Sequence, residues 1–182
     1  MRSKLPTLPG AGRIDSHTSK FMRKRSVIHE HHATNLHWDL RLDMGEVFKS
    51  WAVPKGPSKN PSDKRLAVAV GDHSIVYGDF EGTIAEGKYG AGEVRIWDNG
   101  KYETASDPGE QMRNGKIVFT FYGLKLRGEY ALVRLANDDK NWLLIKANDH
   151  FADVEWKLET VLKPKKARKK VSLLARQRGE KS

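Results

Sequence analysis

Strict alternation of polar and apolar residues over positions 36–42 constrains the fold of this chain more than any other sequence feature. Successive side chains of a β-strand point to opposite faces, so the pattern predicts a strand with two chemically different faces. The apolar face contains Trp38, Leu40 and Leu42, and the polar face contains His37, Asp39 and Arg41. We therefore expect a strand that is anchored in a core on one side and presents polar groups on the other.

Similar short runs, separated by turn residues, occur through most of the 182-residue chain. They predict strands at 26–31, 36–43, 47–53, 65–70, 93–98, 101–104, 116–122, 127–136 and 141–147. Turns are expected at Met44-Gly45 and Asn114-Gly115, and Asn99-Gly100 predicts a hairpin because both residues tolerate positive φ. Asp153–Leu162 alone has helical periodicity, and Pro164 follows it as a stop. Many short strands with one short C-terminal helix indicate a single all-β domain, either a barrel or a sandwich.

The segment Glu86–Gly92 is rich in glycine. Its spacing fits neither a P-loop nor a dinucleotide-binding fingerprint. We expect a tight turn at which two backbone segments pass close to each other.

The positive charge of the chain, +10 in total, lies at its two ends. Residues 1–25 carry a net charge of +6, residues 163–182 carry +8, and the residues between them carry −4. We predict a basic N-terminal arm over 1–25, a folded domain over 26–162 and a mobile basic tail over 163–182. The tail either contacts nucleic acid without sequence preference or only keeps the protein soluble.

The composition excludes several classes of protein. Cysteine is absent, which excludes disulfides, a zinc ribbon and a thiol nucleophile. No apolar run approaches the length of a membrane span, and no apolar stretch of a secretory signal follows the early basic residues. We expect a soluble cytoplasmic protein without a membrane partner.

Histidines are concentrated next to the alternating strand. Four of the seven histidines of the chain lie within nine residues, at His29, His31, His32 and His37. Imidazole and carboxylate groups are ligands for divalent transition metals, so this density together with Asp39 predicts a metal site. His32 has the opposite strand parity to His31, and we expect either His32 or His29 to be only solvated or hydrogen-bonded.

Further candidate residues lie downstream. Lys49–Pro57 is a strand that runs into a turn with two prolines, which hold Lys55 at a defined place. Lys64–Val70 is an alternating strand that begins with two cations, the second being Arg65. The strand is followed by Asp72, His73 and Tyr77. Taken singly, each of these charges is more often solvated than functional.

Taken together, these motifs resemble the 3′-phosphoesterase domain of the bacterial and archaeal DNA ligase D system. The resemblance runs from Val27 to Trp97 and continues more weakly to Trp156. It is carried by His31-x5-His37-x-Asp39-x-Arg41, Lys49–Pro57, Lys64–Val68, Asp72-His73, Tyr77, Phe80-Glu81-Gly82 and Glu86-Gly87-x-Tyr89-Gly90-x-Gly92. No polymerase or ligase module accompanies these motifs, so the chain resembles the free-standing form of the domain.

The resemblance implies a compact closed or nearly closed β-barrel with a crescent-shaped polar groove and a divalent metal, typically Mn²⁺, with Co²⁺ as another option. It implies healing of DNA or RNA-tailed DNA 3′ ends during non-homologous end joining, together with a separate ligase and polymerase. A 3′-terminal ribonucleotide is removed by diester cleavage, and the remaining 3′-phosphate by monoester cleavage. The implied metal ligands are His31, His37 and Asp39. The implied groups around the scissile phosphate are Arg41, Lys55, Arg65, His73 and Tyr77.

Two regions depart from the family pattern. Position 29 is His where the bacterial domains usually carry Gln, and the resemblance implies that His29 contacts substrate. The bacterial N-terminal arm contains an adjacent Arg-Asp pair and a Glu that act in ribonucleoside removal. Here Arg13 and Asp15, the matching candidates for substrate binding, are separated by Ile14, and no Glu precedes Glu30. The resemblance therefore supports the phosphatase step more strongly than the diesterase step.

Two other interpretations compete with the phosphoesterase. His37-x-Asp39 with a distal His73 imitates the facial triad of an Fe(II) oxygenase, which also uses a β-barrel scaffold. The third interpretation is a non-catalytic adaptor that binds DNA ends through its basic arms. Release of 3′-phosphate with and without Mn²⁺ distinguishes the three.

Overall fold

The computed structural model describes residues 23–162 and consists almost entirely of antiparallel β-strands. The strands are β1 Lys24–His32, β2 Leu36–Asp43, β3 Val47–Val53, β4 Lys64–Ser74, β5 Gly82–Ile84, β6 Gly92–Glu103, β7 Lys116–Gly123, β8 Arg127–Arg134 and β9 Asn141–Lys146. A 3-10 helix, Ile75–Asp79, follows β4, and one α-helix, α1 Pro108–Arg113, precedes β7. The strands predicted at 36–43 and 47–53 are confirmed with the bounds expected. The first strand begins at Lys24, two residues inside the segment assigned to the N-terminal arm.

Eight of the strands form a closed barrel. The sheet order is β1-β2-β3-β4-β9-β8-β7-β6-β5, and an additional pairing of β1 with β6 closes the circle. The short strand β5 extends the sheet beside the start of β6. The barrel architecture is therefore confirmed, and it removes the open edges that a sandwich would keep.

The alternation at 36–42 has the predicted meaning. Trp38, Leu40 and Leu42 belong to one hydrophobic cluster with Trp51, Trp142 and apolar residues from the other barrel strands. Leu40 pairs with Trp51 across β2 and β3, whereas Arg41 pairs with Ser50 on the opposite face. The cluster therefore fills the barrel, and the polar face of β2 belongs to the outer side of the wall.

The hairpin predicted at Asn99-Gly100 is wrong. Strand β6 runs through both residues, because Asn99 pairs with Val27 and Gly100 pairs with both Ser26 and Gly123. A Cβ at Gly100 would collide with the backbone of Tyr122. The glycine therefore serves the close strand crossing at which β6 acquires β7 as a partner, and not a reversal of the chain.

The helix predicted at Asp153–Leu162 is also wrong. This segment crosses one end of the barrel without helical structure. Trp97 donates a hydrogen bond from Nε1 to the carbonyl of Glu159 at 2.7 Å, and the buried Glu30 carboxylate accepts the N–H groups of Val161 at 2.6 Å and Leu162 at 3.0 Å. These long-range contacts replace the intrahelical hydrogen bonds that the local periodicity predicted.

The structure contains one α-helix, α1, in a segment for which the sequence analysis predicts no helix. Asp107 caps it by accepting the N–H of Glu110 at 2.7 Å, and Pro108 occupies its first turn. No helix in residues 23–162 is both long and apolar enough to cross a membrane.

Candidate active site

The three predicted metal ligands converge at the hairpin that joins β1 to β2. His31 pairs directly with His37, and Asp39 lies two residues farther along the same face. One ligand atom from each of His31, His37 and Asp39 lies within 4.8 Å of the other two. The carboxylate oxygens of Asp39 are 3.6 Å from Nδ1 of His31 and 3.5 Å from Nε2 of His37. The described residues therefore contain a group that could hold a metal ion, with two imidazoles and one carboxylate as donors. We call His31, His37 and Asp39 the metal group.

The hydrogen bonds of the two imidazoles fit metal binding. Nε2 of His31 donates to the carbonyl of Gly90 at 2.8 Å, and Nδ1 of His37 donates to the carbonyl of Asn35 at 2.9 Å. Because a carbonyl can only accept, each ring carries its proton on the nitrogen that faces away from Asp39. The nitrogen nearest Asp39 therefore keeps a free lone pair, as metal-bound histidines require.

Arg41 is buried behind these ligands and is almost fully hydrogen-bonded by the protein. Its guanidinium donates to Asp39 Oδ2 at 3.1 Å, His29 Nδ1 at 3.1 Å, Ser50 Oγ at 2.8 Å and His73 Nδ1 at 2.9 Å. A guanidinium has five N–H groups, so one N–H on the Asp39 side is left for another acceptor. Arg41 thus aligns Asp39 with His73 and keeps one N–H that has no acceptor among the described residues.

A β-bulge brings His73 to this face. Ser50 pairs with Val70, but two residues back along β3 Phe48 pairs with His73, so β4 contains one extra residue. With regular pairing Asp72 would occupy the position of His73. Such a bulge re-aims a side chain, and here it places an imidazole beside Arg41. Asp72 forms an ion pair with Lys49 at 2.6 Å instead.

Tyr77 covers the cluster from the 3-10 helix. Its ring lies 4.9 Å from the guanidinium carbon of Arg41, 4.8 Å from the His73 ring and 5.1 Å from Phe80, on which it stacks. Burial raises the pKa of Tyr77, so its phenol stays neutral at neutral pH. The structure therefore brings Arg41, His73 and Tyr77 together, as the resemblance implied.

Two pKa values describe the electrostatics of the centre. Burial by itself would raise the pKa of Asp39, but the contacts with His31, Arg41 and His37 outweigh it and hold that pKa below its usual value. Burial, and then the charge of Arg41, lower the pKa of His73. At neutral pH the centre therefore contains an ionised Asp39 and a neutral His73.

The position of His29 does not support a substrate contact. Its side chain is fully buried, it lies edge-on to Tyr77 at 5.8 Å, and its Nδ1 accepts the Nε proton of Arg41. Burial, followed by the charge of Arg41, lowers its pKa to about 4. His32 does not face the metal group either, since its Nε2 contacts the Glu30 carboxylate at 2.6 Å.

Lys55 and Arg65 lie apart from Arg41 and His73. Trp38 pairs with Val53 at the end of β3, so Lys55 lies beyond this pair at the His37 end of the barrel. Arg65 lies at the start of β4 and donates to Asp63 at 2.7 Å. The two cations are thus on one side of the metal group along the strands, and Arg41 with His73 on the other. Arg13 and Asp15 lie outside the described residues.

Some contributors to the site were missed. Ser50 hydrogen-bonds Arg41, and the signal for it was a small polar residue opposite Arg41 in the predicted pair of strands. The carbonyls of Gly90 and Asn35 have no side-chain signal. The expectation of a close backbone approach in Glu86–Gly92 is confirmed, because a Cβ at Gly92 would collide with the His32 carbonyl.

Comparison with known proteins identifies the family. The family model of the DNA ligase D 3′-phosphoesterase domain matches residues 29–134. The chain belongs to this family. The matched range contains all three members of the group that could hold a metal, together with Arg41, Ser50, His73 and Tyr77.

Curated relatives of the chain carry the name LigD. The multifunctional non-homologous end joining protein LigD of Pseudomonas aeruginosa is 46% identical over 127 residues, which are 69% of this chain and 15% of that protein. The protein of the same name from Mycolicibacterium smegmatis is 44% identical over 129 residues, 68% of this chain and 17% of the relative. The multifunctional non-homologous end joining DNA repair protein LigD of Mycobacterium tuberculosis is 43% identical over 120 residues, 64% of this chain and 15% of the relative. The chain thus spans only a small part of the length of the curated relatives that it matches.

Proposed function

We propose that this protein is a Mn²⁺-dependent phosphoesterase that heals DNA 3′ ends. It removes 3′-phosphates and 3′-terminal ribonucleotides and leaves 3′-OH ends for non-homologous end joining. Family membership supports the reaction class, and the names of the relatives support the end-joining pathway. A separate ligase and polymerase are the expected partners.

One observation carries the proposal. His31 and His37 each donate one ring N–H to a backbone carbonyl and direct the other nitrogen toward Asp39, and this group adjoins the Arg41–His73 pair. Orientation of the ligands is thus independent of the metal itself, as expected for a preorganised site. Hydrolysis of a phosphate ester needs charge stabilisation and an oriented water more than covalent chemistry, and the cluster supplies groups for both.

His31, His37 and Asp39 would hold the metal. A divalent cation bound there supplies a water of lowered pKa and neutralises a phosphate oxygen. The remaining work is done by the side chains of this chain. Ser50 is the serine of the site, but it is buried, and its Oγ accepts a hydrogen bond from Arg41 and donates one to the Phe48 carbonyl. Water is therefore the proposed nucleophile.

His73 is the proposed hydrogen-bond donor to the phosphate. Its Nδ1 accepts from Arg41, so its proton is on Nε2. Because its pKa is lowered, His73 approaches the phosphate as a neutral imidazole that donates through Nε2 to a non-bridging or leaving oxygen. Arg41 offers its one remaining N–H to a second oxygen, and Tyr77 holds both groups in place.

Lys55 and Arg65 are proposed to contact the substrate from the other side of the metal group. Their position at the His37 end of the barrel suits two cations that receive further phosphate oxygens. The basic residues of 163–182 are proposed to add affinity for DNA that does not depend on sequence.

The test is release of inorganic phosphate from an oligonucleotide with a 3′-phosphate, with chelator or with added Mn²⁺. We expect Mn²⁺-dependent release by the wild type and its loss in His37→Ala. The exposed His150, which contacts only Phe151 among the ring contacts, provides a matched His→Ala control that should retain the activity. Near-wild-type release by His37→Ala would contradict the metal assignment.

The same assay separates the other interpretations. An end-binding adaptor would bind the oligonucleotide but release no phosphate under any metal condition. The oxygenase would require His73 as a ligand with His37 and Asp39. His73 instead contacts Arg41 and Ser50, and His31 completes the group that could hold a metal within residues 23–162.

A further inference from the structure

The loop between β5 and β6 positions His31 through its backbone and also carries an exposed tyrosine that the metal group does not explain. Hydrogen bonds Lys88 N–H to Ala85 O, at 3.2 Å, and Ala91 N–H to Lys88 O, at 3.1 Å, define two consecutive turns. The third residue of the second turn, Gly90, has a φ of 76°, which a type II turn requires at this position and which favours glycine. Gly90 provides the carbonyl that accepts the Nε2 proton of His31.

Tyr89 lies at the second position of this turn and is the most exposed large hydrophobic residue of residues 23–162. Its exposed fraction is 95%. Among the described residues, neither an aromatic ring nor a hydrogen-bond partner meets its side chain. Adjacent Cα atoms are about 3.8 Å apart, so the ring is attached one residue from the carbonyl that orients a metal ligand. The preceding residue, Lys88, is also exposed.

A single exposed aromatic residue is common on protein surfaces and needs no special explanation. Tyr89 differs because its backbone is fixed by the turn that positions His31. The Cα of Tyr89 is therefore held at a defined place beside the reaction centre, and only the two side-chain torsions of the ring have to be ordered when a ligand binds. A rigid aromatic ring beside a cation is the combination by which proteins bind single-stranded nucleic acid, with the base on the ring and the phosphate near the charge.

We propose that Tyr89 is a stacking platform for a nucleobase at the 3′ end of the substrate. It acts as a specificity-determining residue, with Lys88 near the adjoining phosphate. The inference rests on the proposed function, since it assumes that a DNA 3′ end occupies the metal centre. It adds that the enzyme recognises an unpaired terminal nucleotide by the π-face of its base and hence without preference for base identity.

The test uses two single-stranded oligonucleotides with a 3′-phosphate, one with a terminal adenine and one with a base-free terminal sugar. Loss of stacking on one ring corresponds to about a 5- to 150-fold effect. We expect Tyr89→Ala to raise KM for the adenine substrate by a factor in this range and to leave kcat little changed. KM for the base-free substrate should not change, and Tyr89→Phe should behave as the wild type because the ring and not the hydroxyl is required.

Leu124→Ala provides the matched control. Leu124 is 80% exposed, in the turn after β7, and follows the residue that pairs with Gly100, far along β6 from the Tyr89 loop. Its removal should change neither KM.

The outcomes separate the two hypotheses. Phosphate release by the wild type with equal KM values for wild type and Tyr89→Ala overturns the stacking inference alone. An equal rise of KM on both substrates also overturns it, because it would show that Tyr89 acts through the loop and not through the base. Absence of release by the wild type on both substrates overturns the proposed function and the stacking inference with it.

Discussion

Replacement of His29 by Gln should reduce the loss of stability that the protein undergoes in mild acid. The pKa of His29 falls from 6.5 to about 4 on folding, because of burial first and the charge of Arg41 second. A glutamine carbonyl can accept the Nε proton of Arg41 in place of Nδ1, but it does not titrate. The variant thus keeps the buried hydrogen bond and removes the proton equilibrium.

The sign follows from proton binding in the two states. Between pH 6.5 and pH 4 the unfolded chain protonates His29 and the folded protein does not, so the free energy of unfolding falls as the pH falls. One pKa unit corresponds to about 1.4 kcal/mol, so the full difference is about 3 kcal/mol and is reached near pH 4. Above pH 6.5 His29 is neutral in both states and makes no pH-dependent contribution.

The assay is urea denaturation in the presence of chelator at pH 7.5 and pH 4.5. Between these values the wild type should lose about 2 to 3 kcal/mol more than His29→Gln. The lowered pKa values of Asp39 and His73 also reduce stability as the pH falls. Both groups are present in both proteins, so the difference between the proteins isolates His29.

Equal losses in the two proteins would refute the reasoning. They would mean that His29 takes up its proton in the folded state, which requires access to water. That result would return His29 to the role of a substrate contact, which its burial now argues against.

Three other predictions concern the site and the ends of the chain. Ser50→Ala removes one acceptor of the buried Arg41 guanidinium, so it should lower kcat for phosphate release with little effect on KM and cost about 1 to 3 kcal/mol in unfolding free energy. An unchanged kcat would contradict the role of Ser50 in aligning Arg41. A crystal soaked with sulfate and Mn²⁺ should show one anion bound by His73 and Arg41 and a second near Lys55 or Arg65 on the other side of the metal group. Anion density remote from all four residues would contradict these contacts. Deletion of 163–182 should weaken duplex binding and flatten its salt dependence without changing turnover at saturating substrate; equal salt slopes would remove this segment from DNA binding.

Local patterns predicted the strands well and their partners poorly. Alternation at 36–43 identified the strand and both of its faces because the two faces have different environments. The hairpin prediction at Asn99-Gly100 failed because the same dipeptide suits both a hairpin and a close strand crossing. Only the pairing with β1 and β7 distinguishes the two. The helix prediction at 153–162 failed for a related reason, since Glu30 and Trp97 bind the backbone of this segment from distant positions in the chain.

Residue chemistry predicted the metal group, but the roles of its neighbours depended on contacts that the sequence does not contain. His31, His37 and Asp39 were identified from their density and strand parity. The bulge that selects His73 over Asp72 has no local signature, because Gly71 alone does not specify an extra residue. The burial of His29 was likewise not predictable from its position beside His31, because it depends on the 3-10 helix that carries Tyr77 across the strand.

The burial of Arg41 limits what substitutions of Asp39 can show. The Arg41 side chain is 2% exposed, and Asp39 is its only carboxylate partner among the described residues. Removal of one partner of a buried ion pair costs about 3 to 5 kcal/mol, because the remaining charge is left without compensation. Asp39→Ala would therefore displace the guanidinium, and with it His73, at the same time as it removes a metal ligand. Removal of His37 leaves no buried charge without a partner: the side chain is 22% exposed, its Nε2 lies 3.5 Å from Asp39, which keeps its ion pair with Arg41, and its Nδ1 binds the carbonyl of Asn35. Loss of activity in His37→Ala would thus report on the proposed metal, whereas the same loss in Asp39→Ala would not distinguish a missing metal ligand from displaced Arg41 and His73 side chains.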